Sequence, residues 1–218
     1  MSCYSIKRVS DYGYNLQLDG ENFDPLFQYA LYYLSACFND EIMNAMFFTA
    51  TSVTTLKEHL ADYSFKLSHC KCIEIIDELT KQLSHLKKVG YGFYGFNIED
   101  ILVVNGCKFV ICNSRCLLPI NANNMLYFYE PIDNPQFIDP SMFKLTTLPA
   151  KIHYNCVYYS LGVLIVFCLL NVYLLVGNEE KTDLELERIL SPIKNTKIYW
   201  FLKRLMDSDM EHRICLLI

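Results

Sequence analysis

The chain has 218 residues, of which 52% are hydrophobic and 20% charged, and it carries a formal net charge of -5. That length and apolar content suffice for a large buried core and exclude global disorder. The acidic balance excludes a general nucleic-acid binder, which needs a basic surplus to neutralise phosphates.

Residues 1–20 alternate apolar and polar side chains around Tyr12, Tyr14, Leu16 and Leu18, with turn signals at 11–13 and 19–20, so one or two short strands are expected. The segment 26–38 (LFQYALYYLSACF) reads as a helix started by Asp24-Pro25. The apolar run 43–53 (MNAMFFTATSV) is β-prone in its middle. Thr55 and Glu58 then stand at capping-box spacing and open a short helix. From Ser68, the residues Ile73, Ile76, Leu79, Leu83 and Leu86 recur every three or four positions and predict one apolar stripe on a helix that stops near Val89-Gly90. Asn105-Gly106 between two β-prone runs predicts a tight hairpin. Segments 121–124 and 130–140 read as loops, and 183–190 and 197–206 as amphipathic helices.

Residues 157–176 (VYYSLGVLIVFCLLNVYLLV) carry no charge and are long enough for a membrane span. The competing reading is a helix buried on all sides by protein.

None of the ten cysteines forms a recognisable metal set. Cys70 and Cys72 are too close for a zinc knuckle, and Cys107, Cys112 and Cys116 read as core or strand positions. His69 and Cys72 share helical spacing without a third ligand. The first eleven residues are polar and unlike a secretory signal, so free thiols in a reducing, cytoplasmic setting are expected.

Several local sequences, in order, resemble the large lobe of protein kinases. Residues 83–104 (LSHLKKVGYGFYGFNIEDILVV) are similar to the end of its long helix, the catalytic loop and the next strand. Residues 137–140 (FIDP) resemble the end of the activation segment. Ser160-Leu161-Gly162 keeps a Ser-x-Gly of the buried central helix, and 209–213 (DMEHR) resembles the C-terminal arginine motif. The resemblance implies an α+β, mainly α fold. Residues 1–50 would form a reduced N-terminal lobe and 51–218 a kinase-like C-terminal lobe. It also favours burial of 157–176 over a membrane span.

The same resemblance implies that the chemistry is gone. Phosphoryl transfer needs a residue to orient the nucleophile and a carboxylate and amide to hold magnesium. The His-Arg-Asp triplet falls on Phe93, Tyr94 and Gly95, leaving no side chain at the base position. The catalytic lysine falls on Asn97, the metal-binding asparagine on Asp100, and the metal-binding aspartate on Cys112 or Asn113. The glutamate that closes the activation segment becomes Ser141, so Arg213 needs another acceptor or lies exposed. Val157 replaces the aspartate that would support the catalytic loop. No glycine-rich phosphate loop and no Lys–Glu pair is visible in the first fifty residues.

The expectation is therefore a pseudokinase-like binding or regulatory module, of the compact kind found in large DNA viruses and placed in that case in the host cytoplasm. Its partner would be a kinase or a kinase substrate, with no nucleic acid and no membrane. No cofactor is expected beyond weak residual ATP binding. Two alternatives stay open: a single-span membrane protein anchored by 157–176, and an unorthodox phosphotransferase that uses Asp100 for magnesium.

Overall fold

Alternation builds the first sheet. The computed structural model describes residues 3–174 and 183–216. Strand β1 (Tyr4–Arg8) pairs antiparallel with β2 (Gly13–Leu18), in which Tyr14, Leu16 and Leu18 point into the core as the period of two requires. Helix α1 (Phe23–Tyr33) follows, then β3 (Cys37–Phe38) and β4 (Ala45–Thr49), completing a sheet of order β1-β2-β4-β3. The helix expected over 26–38 therefore starts earlier and stops at Leu34. Ser35 takes a positive φ of 54°, and Cys37 and Phe38 turn back as an edge strand.

After β5 (Val53–Thr55), Thr55 caps α2 (Leu56–Asp62) in the expected reciprocal box with Glu58. Ser68 caps α3 (His69–Lys88), the longest helix, which ends at Val89 before Gly90 at φ +84°. Its buried stripe runs through Cys72, Ile75, Ile76, Leu79, Gln82, Leu83 and Leu86, whereas Ile73 lies at its edge, 38% exposed. His69 is exposed and Cys72 buried, so the two do not face a common ligand.

Short strands follow: β6 (Tyr91–Phe93), β7 (Gly95–Phe96), β8 (Ile101–Val104) and β9 (Lys108–Ile111). Asn105 and Gly106, both at positive φ, close the β8–β9 hairpin as expected, and β5 adds to its outer edge. Cys107 sits exposed at this turn, unlike the buried Cys112 and Cys116. Strands β10 (Leu117–Pro119), β11 (Met125–Phe128), β12 (Phe137–Ile138) and β13 (Ala150–His153) make two-stranded pairs β10–β6, β12–β7 and β11–β13. Helices and small antiparallel sheets thus share the chain, which is mixed α and β and not mainly helical. Runs of only two to five β-branched and aromatic residues, cut by Gly, Asn and Pro, cannot propagate helix across 91–153.

Helix α4 (Cys156–Leu170) is the post around which the rest packs. Thirteen of its fifteen residues are buried, so it has no polar face. Asn171, at φ 54°, stops it, and Leu67 N–H bonds the Cys168 carbonyl in its last turn. At fifteen residues it spans about 22 Å, short of a hydrocarbon core of about 30 Å. No helix among the described residues is long and apolar enough to cross a membrane. The end of the 157–176 run, residues 175–176, lies outside the described residues.

Helices α5 (Asp183–Leu190) and α6 (Lys197–Leu205) complete the fold. Gly162 lets α6 approach α4, because a Cβ there would lie 2.7 Å from Met206 Cγ. One continuous hydrophobic cluster runs from Tyr14 to Met206, so residues 1–50 share their core with the remainder.

His59 of α2 is buried between the rings of Tyr63 and Phe109, and its Nε2 has no hydrogen-bond partner among the described residues. Burial lowers its pKa below the ordinary 6.5, so the folded chain binds fewer protons there than the unfolded chain. Its contribution is therefore present above about pH 6.5 and lost as the pH falls. Between pH 7.5 and 5.5 the urea midpoint of the wild type should drop further than that of His59→Phe. Equal drops would discount His59 as a source of acid sensitivity.

Candidate functional site

The positions singled out by the sequence resemblance, Asn97, Asp100, Cys112 and Asn113, come together in one place. Asn97 precedes a single 3-10 turn, Ile98–Asp100, and the two ends of that turn cap each other. One Asp100 carboxylate oxygen accepts the Asn97 backbone N–H at 2.6 Å and the Asn97 side-chain amide at 3.1 Å. The other oxygen accepts from the Asn113 amide at 2.6 Å. Asn113 in turn accepts the Arg115 N–H at 3.0 Å, and Cys112 N–H bonds the Asp100 carbonyl at 2.9 Å. Both oxygens of the carboxylate are thus bonded from within the chain.

Asp100 is buried, not solvated. Desolvation raises its pKa, against the opposing pull of the amides from Asn97 and Asn113. Cys112 is fully buried, and burial pushes its thiol far above the ordinary value, so it stays protonated. A magnesium–nucleotide site of the kinase type does not fit these residues. Asp100 has both oxygens engaged, Asn113 brings no charge, and the Cys112 thiol is a poor ligand for a hard cation.

Gly95 carries the base position of the resemblance, and strand pairing covers it. Strand β12 lies against β7 with Ile138 opposite Gly95. A Cβ at Gly95 would stand 2.5 Å from Pro135 Cγ and 2.7 Å from the Phe137 carbonyl oxygen. The Gln136 N–H donates to the Asn97 side-chain oxygen at 2.8 Å, tying the same segment to the loop. The segment around Pro135–Ile138 thus leaves no room for a side chain at Gly95.

The N-terminal sheet closes the other side. The Tyr4 hydroxyl donates to the Glu99 carbonyl, Ser114 Oγ donates to the Asp19 carbonyl at 3.1 Å, and the Asn22 amide donates to the Leu117 carbonyl at 3.2 Å. Gly20, at φ +95°, makes this approach possible, because a Cβ there would meet Ser114 Oγ at 3.0 Å. From below, Gln82 of α3 completes the β9 edge: its amide donates to the Ile111 carbonyl and accepts the Ile111 N–H, both at 2.8 Å.

Arg213 finds the other acceptor that the sequence calls for. Its guanidinium pairs with Asp139, two residues before the serine that replaces the glutamate of the resemblance, with both side chains under 5% exposed. Arg213 also donates to the Asp207 carbonyl at 2.8 Å and lies over the Tyr159 ring, while Asp139 accepts from the Ser141 N–H and hydroxyl. Where Val157 stands the loop has no carboxylate beneath it: Ser160 Oγ and Cys156 Sγ lie 3.5 and 3.9 Å from the Tyr94 and Phe93 carbonyls but closer, at 3.3 and 3.8 Å, to the Cys156 and Tyr154 carbonyls.

Sequence reasoning missed Gln82, Tyr4 and Asp139. Gln82 had a usable signal, as a polar residue in register with the apolar stripe of α3. Tyr4 and Asp139 had none, because their partners lie 95 and 74 residues away. A scan against protein-family models gives no match, and a search of curated proteins gives none either.

Proposed function

We propose that the chain is a degenerate relative of protein kinases that works as a binding or regulatory module without phosphotransfer, and that its partner is a protein, a kinase or a kinase substrate. Three features support the kinship. A long helix leads through a loop into a tight hairpin, a long segment and an all-round buried helix, the order expected of the large lobe. That helix sits where the resemblance predicts burial. A buried carboxylate–arginine pair joins the end of the long segment to the C-terminal arginine motif.

The observation that carries the loss of chemistry is the closed network at Asn97, Asp100 and Asn113. Every oxygen of its single carboxylate is taken by a protein amide, and the chain itself covers both sides. As a magnesium ligand Asp100 would bring the only carboxylate of the network, with amides and a thiol as its neighbours.

A ligand that binds only the folded state stabilises it by RT ln(1 + [L]/Kd). Millimolar ATP, with or without magnesium, should therefore leave the melting temperature of the full chain unchanged. A magnesium-dependent rise of several degrees would overturn the reading and restore the phosphotransferase alternative.

A further inference from the structure

A cavity of about 380 Å³ opens beside the closed network, between Glu21 after β2 and the segment 127–133 after β11. Its wall brings together three carboxylates, Glu21, Glu130 and Asp133, and a single guanidinium, Arg115, which pairs with Asp133 at 3.3 Å. The carboxylates thus outnumber the cation by two. Three tyrosines share the same wall: Tyr94, buried at the floor, and Tyr127 and Tyr129, stacked at 6.5 Å with their planes 18° apart. Tyr129 is 75% exposed, so its ring face is open to a partner. Carboxylates together with exposed ring faces select a cation, by Coulomb attraction and by the negative faces of the rings.

A second cavity, of about 270 Å³, shares Phe128, Pro131 and Ile132 with the first and is closed by Leu145, Leu148 and Ala150. No charged residue lines it. Side by side, the two make a cation-accepting subsite next to an apolar one.

We propose that this double cavity docks a basic peptide segment of a protein partner, with an arginine or lysine between the tyrosines and the carboxylates and a following aliphatic side chain in the apolar subsite. The proposal rests on the binding-module reading and gives it a partner chemistry. Free polyamines share the charge but not the apolar side chain, and nucleic acid is repelled by the carboxylate excess.

The test uses the full chain and two pools of fluorescein-labelled decapeptides, one fixed at a central Arg with Leu two positions on, the other with Gln in place of Arg. Fluorescence polarisation should show saturable binding of the Arg pool below about 1 mM, and no binding of the Gln pool. Glu130→Gln combined with Glu21→Gln should weaken the Arg pool about tenfold, as should Tyr129→Ala, and high salt should weaken it further. All three positions are on the surface, so circular dichroism should find the variants folded. No binding of the Arg pool, equal binding of both pools, full displacement by spermine at equal concentration, or affinity unaffected by the glutamate changes would each overturn the proposal. Adding γ-labelled ATP to the same mixture separates the two readings. Label transferred to peptide sinks the inactive-module reading, whereas failed Arg binding without transfer sinks only the docking site.

Discussion

Replacing Arg213 with methionine should destabilise the chain by about 3–5 kcal/mol, because it strands the Asp139 carboxylate without a counter-charge in the interior. For a chain of this size that is a fall in melting temperature of about 10 °C. The reason is the asymmetry of buried ion pairs. An intact pair roughly offsets its own desolvation, while a broken one leaves a buried charge that water can no longer reach. The double variant Asp139→Asn/Arg213→Met should therefore recover part of the loss. Asparagine keeps an acceptor for the Ser141 N–H and hydroxyl and removes the charge. A double-mutant cycle read by urea unfolding measures this coupling. A single variant within 1 kcal/mol of wild type would mean that the pair does not hold the C-terminal segment to the end of the long loop.

Restoring a carboxylate at the base position should damage the fold and not create activity. Gly95→Ala alone should cost about 1–3 kcal/mol, because its Cβ meets the Phe137 carbonyl and the Pro135 ring, and a carbonyl in a paired strand cannot step aside cheaply. Gly95→Asp adds a carboxylate with no positive partner at that buried spot, and should exceed the alanine variant by several kcal/mol, on the order of the penalty for an unpaired buried charge. Thermal unfolding of the two variants beside wild type checks the order. A Gly95→Asp chain as stable as wild type would show that the strand over Gly95 is readily displaced, and the inactive reading would lose its steric support.

Local features of this fold were legible from the sequence. The Thr55–Glu58 box, the Ser68 cap, the Gly90 stop and the Asn105-Gly106 hairpin all form where local chemistry predicts, because each is decided within a few residues. What was not legible depends on distant partners. Helix α1 ends early because Cys37 and Phe38 find an edge on β4, which propensity cannot foresee. Within 91–153 only the β8–β9 hairpin was foreseen, since pairs such as β7 with β12 join residues about forty positions apart. At the candidate site, the residues Gly95, Asn97, Asp100 and Asn113 were found by resemblance alone. Their mutual hydrogen bonds were not, since a lone acid reads equally well as solvated or as a cap. Arg213 was singled out as needing another acceptor, but that acceptor, Asp139, was not named, because it lies 74 residues away.

The hydrogen bonds from Tyr4, Ser114 and Asn22 lock the first sheet onto the loop below it. A two-lobed enzyme breathes about a hinge and spends much of its binding energy on closing. Here the sheet and the loop are already bonded together, so the partner we propose would meet a closed outline. Little ordering entropy is then lost on association, and recognition should proceed as nearly rigid-body docking, with amide exchange at the contact surface changing far more than exchange at the junction between the first sheet and the loop.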